Sequence, residues 1–111
     1  MIETIIRDYL AENLSIPVLL EVPDSVPETF VVIEKTGSSR VNLINRATLA
    51  IQSYAASLYE AAKLNETVKE ILDASIELSS ISKAELNSDY NYTDTSTKRY
   101  RYQAVYDFVY F

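Results

Sequence analysis

Apolar residues recur along this chain with two different periods, and the changes between them mark the elements. Ile2, Ile5, Ile6, Tyr9 and Leu10 fall at i, i+3, i+4, i+7 and i+8, while Glu3, Asp8 and Glu12 lie off that line. This spacing predicts an amphipathic helix over residues 1–14. Ile16-Pro17 ends it, because proline disfavours helical geometry in the residue before it. Val18, Leu20 and Val22 alternate with Leu19 and Glu21, which predicts a short strand closed by Pro23. Phe30 to Ile33 is apolar on both faces and suits a central strand. Residues 37–46 break the pattern: they are mostly polar and are expected to form a hairpin turn or a longer loop. From Ala47 to Tyr54 the alternation returns, with Ala47, Leu49, Ile51 and Ser53 on one face.

The second helix carries the clearest signal. Ser57-Leu-Tyr-Glu60 matches a capping box, in which the serine hydroxyl and glutamate carboxylate satisfy free amides at a helix start. Leu58, Ala61, Leu64, Val68, Ile71 and Leu72 then form the expected buried stripe. Ile76 to Leu86 alternates weakly and reads as a strand, and Asn87 to Thr97 as a polar loop. Arg99 to Phe111 is a strong strand. Tyr100, Tyr102, Ala104, Tyr106, Phe108 and Tyr110 share one face; Arg101, Gln103, Val105, Asp107, Val109 and Phe111 share the other. The expected fold is α+β in the order α-β-β-β-α-β-β: a mostly antiparallel sheet with two helices on one face. No linker divides residues 1–111, so one domain is expected.

Composition narrows the chemistry. The chain has no histidine and no cysteine. It therefore lacks the usual base near neutral pH, any thiolate nucleophile, disulfides and thiolate metal ligands. One glycine rules out a glycine-rich phosphate loop. Asp89, Asn91 and Asp94 loosely follow a calcium loop, but its glycine and terminal acid are missing, so they read as a solvated turn. The carboxylate pairs Glu66/Glu70 and Asp8/Glu12 read as ordinary exposed helix faces. No enzyme activity, cofactor or metal is expected.

The net charge is −6, and the acids concentrate in residues 1–36. No cluster of lysine and arginine provides a phosphate-binding surface, so specific nucleic-acid binding is not expected. An acidic start, Met-Ile-Glu-Thr, predicts no secretory leader. The apolar run Phe30–Ile33 is far short of the ~20 residues that span a membrane.

Two features are candidates for contact with other proteins. Of nine tyrosines, most lie near the end of the chain. Tyr100, Tyr102 and Tyr106 sit on one face of the last strand, where they either cover the core or form an interface. The polar segment holds Arg40, Asn42 and Arg46, which would either be solvated or line an interface.

Taken together, several segments form a familiar series: Pro17-Val-Leu-Leu-Glu-Val-Pro23, Pro27-Glu-Thr-Phe-Val-Val-Ile-Glu-Lys-Thr-Gly37, Ala47-Thr-Leu-Ala-Ile-Gln-Ser-Tyr-Ala-Ala-Ser57 and Arg99-Tyr-Arg-Tyr-Gln-Ala-Val-Tyr-Asp107. In element order the chain resembles the small tail-terminator and tail-completion proteins of long-tailed bacteriophages and prophages. The resemblance implies a non-enzymatic virion protein that assembles as a ring, commonly hexameric. Such a ring caps the tail tube and offers a docking surface to the connector. It further implies that Thr36 to Arg46 faces a neighbouring subunit or the lumen. A head-tail joining or minor capsid protein, or a small cytoplasmic adaptor, are the alternatives.

Overall fold

A computed structural model describes residues 1–111. Helix α1 (Ile2–Asn13) is followed by strands β1 (Val18–Leu19), β2 (Phe30–Val41) and β3 (Ile44–Ala55). Helix α2 (Leu58–Asp73) runs into a short 3-10 turn (Ala74–Glu77), and β4 (Ile81–Asn91) and β5 (Tyr100–Tyr110) complete the chain. The five strands form one sheet in the order β1-β2-β3-β5-β4. Only the short β1–β2 pairing is parallel; the other three are antiparallel. The α+β fold and its element order are those expected from the pattern.

One face of the sheet carries the core. Val31 and Ile33 of β2, Leu49 and Ile51 of β3, and Ala104, Tyr106 and Phe108 of β5 meet Ile2, Ile6 and Leu10 of α1 and Val68 and Leu72 of α2. Burial of each large side chain contributes about 1.5–3 kcal/mol. The α1 stripe is as expected, with Ile2, Ile6, Tyr9 and Leu10 buried. Ser57 caps α2 by accepting from the Glu60 amide at 3.2 Å. The reciprocal half of the capping box does not form. The α2 stripe is also shifted: Leu58 is 40% exposed, whereas Asn65 is 1% exposed. Its Nδ2 donates to Asp89 Oδ2 at 2.9 Å, while its buried Oδ1 has no hydrogen-bond partner.

Three boundaries differ from the sequence reading. The polar segment 37–46 is not a loop: β2 and β3 continue through it as a long hairpin, paired to Val41↔Ile44. Residues 76–80 are the end of the 3-10 turn and a bend, so the fourth strand starts at Ile81 and continues to Asn91. The first strand stops at Leu19 instead of reaching Val22.

Two tyrosines tie helices to the rest. The Tyr9 hydroxyl donates to Glu77 Oε1 at 2.9 Å, joining α1 to the 3-10 turn. The Tyr106 hydroxyl donates to Asp73 Oδ1 at 2.7 Å, joining β5 to α2. Burial first, then the neighbouring carboxylate, raises both phenols above their ordinary value of 10.0. Lys69 is also raised, chiefly by hydrogen bonds to Asp89 and Glu66. All three hold their protons in the folded chain after the unfolded chain has released them. Their contribution to stability is therefore complete below about pH 10 and falls as pH rises beyond it. The urea midpoint is expected to hold up to about pH 10 and to drop as the pH rises above it, and Tyr106→Phe should make that drop shallower.

Candidate protein interface

Directly opposed residues in an antiparallel pair share a face, so the register assigns every strand position. Tyr102, Tyr106 and Phe108 point toward the helices. Tyr106 is fully buried in the core, which corrects its reading as an interface residue. Tyr102 is only half-buried but lies on the same helix-covered side. Tyr100, at the start of β5, lines a small cavity at that end of the sheet.

The other face carries no helix, and it is built from the alternate positions. On it lie Arg46, Thr48, Ala50, Gln52 and Tyr54 of β3, and Arg101, Gln103, Val105, Asp107 and Val109 of β5, with Lys83, Glu85 and Tyr90 of β4 alongside; Ala50, Gln52, Tyr54 and Gln103 are themselves buried. A relay of hydrogen bonds crosses it. Arg101 Nη1 donates to the Tyr54 hydroxyl at 2.7 Å, and Tyr54 donates to Gln52 Oε1 at 3.3 Å. Gln52 Nε2 donates to Gln103 Oε1 at 2.9 Å, and Gln103 Nε2 donates to the Tyr90 hydroxyl. Arginine can only donate, so it fixes the direction of the whole chain. The last hydroxyl, on exposed Tyr90, keeps its own proton free to donate outward. Arg101 also stacks on the Tyr92 ring, 4.5 Å from its centroid. Such a satisfied polar network orders the face as a rigid surface.

Toward the hairpin end the same face opens into a groove of about 470 Å³, lined by Gly37, Ser39, Arg46, Lys83, Glu85 and Asp107 among others. Asp107 accepts from Thr48 Oγ1 at 2.7 Å and Asn87 Nδ2 at 3.0 Å, and Lys83 pairs with Glu85 at 3.0 Å. Arg46 makes no ion pair. A Cβ on Gly37 would meet open space, so glycine here leaves the groove wide rather than relieving a clash.

The hairpin places the three residues singled out in the polar segment. Arg40 lies opposite Asn45, and Arg46 opposite Ser39. The two arginines therefore project from opposite faces and do not form one patch. Asn42 and Leu43 make the two-residue turn, with φ of 52° and 67°. Both positive values match a type I′ turn, which suits the twist of a hairpin. Asparagine accepts that geometry readily; leucine does so with strain. The tip is apolar as well: Val41 is 60% exposed, Leu43 78% and Ile44 43%. Beyond Ile33 the outer edge of β2 has no strand beside it, because β1 pairs only with Val31 and Val32.

No family model matches the chain, and no curated protein matches it. The functional reading therefore rests on the residues and on the resemblance in element order.

The carboxylates of the calcium-like stretch do not converge. Asp89 binds Lys69 and Asn65, Asn91 caps the Thr93 amide, and Asp94 accepts from the Ser96 amide and hydroxyl. Those last bonds hold the Asp94 carboxyl below its ordinary range. No helix is long and apolar enough to cross a membrane. The side chains that sequence reasoning missed are Gln52, Tyr54, Tyr90, Arg101 and Gln103. Their only sequence signal is that the face of the last strand opposite the tyrosines alternates polar with apolar residues.

Proposed function

We propose that this chain is a structural subunit of a tailed bacteriophage or prophage, of the tail-terminator or tail-completion type. In this reading it self-associates as a ring, caps the tail tube and presents a surface to the connector. It acts by shape and contact and carries out no catalysis. Its place is the tail or neck of the virion, after synthesis in the bacterial cytoplasm.

The observation that carries the reading is the long β2–β3 hairpin, with its exposed apolar tip and two arginines free of ion pairs. A solitary soluble domain gains nothing from exposing such an element, whereas a ring subunit needs two different complementary patches. The acidic segment supplies a second patch: Glu21, Asp24 and Glu28 are all exposed between β1 and β2. The rigid helix-free face, ending at the Tyr90 hydroxyl, is a third surface, suited to a tube or connector protein.

Tail-tube protein polymerised with and without the chain tests this, with tube lengths read by electron microscopy. Capped tubes should be shorter and carry extra density at one end. An unchanged length distribution with bare ends would rule the terminator role out. Charge reversal should also matter. Arg40→Glu/Arg46→Glu is expected to weaken assembly about tenfold or more while leaving the thermal midpoint within a few degrees, because both side chains are exposed and unpaired. Unchanged oligomer size would remove the arginines from the interface.

A further inference from the structure

Both edges of the sheet are open, and their backbones match. On one side β4 is the last strand; on the other, β1 covers β2 only at Val31 and Val32. An open edge presents unpaired amides and carbonyls and is a template for another strand. Neither free stretch, residues 33–41 of β2 or residues 83–91 of β4, contains proline. In an antiparallel sheet alternate residues bond to one neighbouring strand, and the residues between them face the other side. Val41 and Ile44 flank the two-residue turn and bond to each other, which fixes this alternation across the sheet through its register. The outward residues of β2 are Ile33, Lys35, Ser38 and Arg40, the middle step being widened by the irregularity between Lys35 and Gly37. Those of β4 are Ala84, Leu86, Asp89 and Asn91, widened in the same way between Leu86 and Ser88.

We infer that the free edge of β2 in one copy pairs antiparallel with the free edge of β4 in a second copy, so that the sheet runs on from copy to copy. The inference rests on the self-association in the functional reading and names the contact. A bulge ordinarily spoils an edge, because residues on its two sides fall out of step with a straight partner. Two edges bulged at the same place stay in step. Arg40 then lies opposite Ala84, Ser38 opposite Leu86, Lys35 opposite Asp89 and Ile33 opposite Asn91. All four pairs exchange backbone hydrogen bonds and share the helix-covered face. The pairing also ends cleanly, since β4 stops at Asn91 and the next β2 position, Val32, is held by β1.

Spacing alone would equally let β2 meet β2, or β4 meet β4, and charge decides between them. Residues 33–41 hold one acid and two bases, whereas residues 83–91 hold two acids and one base. Like edges repel and unlike edges attract, with Lys35 directly opposite Asp89. Both have capacity for the bond: Lys35 has only a 3.8 Å contact with Glu3 in its own chain, and Asp89 uses only its Oδ2 there. On the helix-free face Glu34 comes opposite Tyr90, whose hydroxyl proton ends the relay. Because β2 and β4 run in opposite directions within one chain, copies set side by side present these edges already antiparallel. The two edges differ, so the contact is heterologous and repeats into a ring or a filament.

Within one chain β3 and β5 separate the two edges, so Ser38 and Leu86 are at least about 14 Å apart, three strand spacings. A disulfide needs Cα atoms within about 7 Å. Because the chain has no cysteine, an introduced pair reports only on contact between copies. Under mild oxidation, Ser38→Cys/Leu86→Cys should give a ladder of covalent dimers, trimers and larger species. Each single variant should stop at dimers. A double variant that gives no more than the singles would overturn the inference. Ser38→Pro is the second test. The Ser38 amide faces away from β3, so proline there removes an edge donor and spares the hairpin. The thermal midpoint should hold within a few degrees while self-association weakens at least tenfold. Association as strong as that of the parent chain would also overturn it. Tube capping by the unmodified chain separates the two ideas. Capping without a ladder removes only this contact, and a ladder without capping removes only the tail role.

Discussion

Tyr106→Ala is expected to be the most damaging single substitution in this chain, at about 3–5 kcal/mol. The side chain is fully buried at the centre of the main core, 5.9 Å from the Phe108 ring. Its removal leaves a cavity under α2 and frees Asp73 from its hydrogen bond. For a domain of 111 residues each kcal/mol corresponds to roughly 4 °C, so the midpoint should fall by about 12–20 °C. Tyr106→Phe keeps the ring and loses only the hydroxyl, so it should cost about 1–2 kcal/mol. Thermal unfolding followed by circular dichroism reads both. A loss below about 1 kcal/mol for the alanine variant would mean that β5 is not packed as described.

The second large effect is expected in the polar relay. Gln103→Leu removes the acceptor for Gln52 Nε2, which is buried, and the donor to Tyr90. An unsatisfied buried donor costs about 1–3 kcal/mol. Gln52→Leu strands Gln103 in the same way. The double variant replaces both amides with apolar groups that face each other across β3 and β5. It should therefore cost clearly less than the two single losses combined, by at least about 1 kcal/mol. Additive losses would show that the amides are not coupled. The chosen residues lie on the helix-free face, so the same variants also report whether that face matters for docking to a tube protein.

How far the sequence revealed this molecule depended on whether an element has one buried side. Helix α1 was legible because Ile2, Ile6, Tyr9 and Leu10 pack against a sheet and solvent covers the opposite side. The order of elements followed from signals of the same kind. A hairpin turn was one of two readings of the polar segment, but the length of its paired strands was not legible, because residues 34–41 of β2 are exposed on both faces and so carry no alternation for a reader to find. The turn type was hidden as well. Asn42 is a conventional left-handed residue, but leucine stands where the following glycine would have announced a type I′ turn. In the last strand the alternation was plain, yet alternation alone does not say which face meets a partner. Tyr106 turned out to be core, and the helix-free surface belongs to the residues between the tyrosines. The relay could not be read at all. Its five side chains come from three strands, and the register that aligns them is set by pairings far apart in sequence.

The central claim is that the chain works as a ring-forming subunit on a tail tube. Native mass by light scattering after size exclusion, over a wide concentration range and with and without tail-tube protein, tests it most directly. The account predicts a discrete multiple of 12.6 kDa, alone at high concentration or on the tube. A 12.6 kDa species at every concentration that ignores the tube would contradict it.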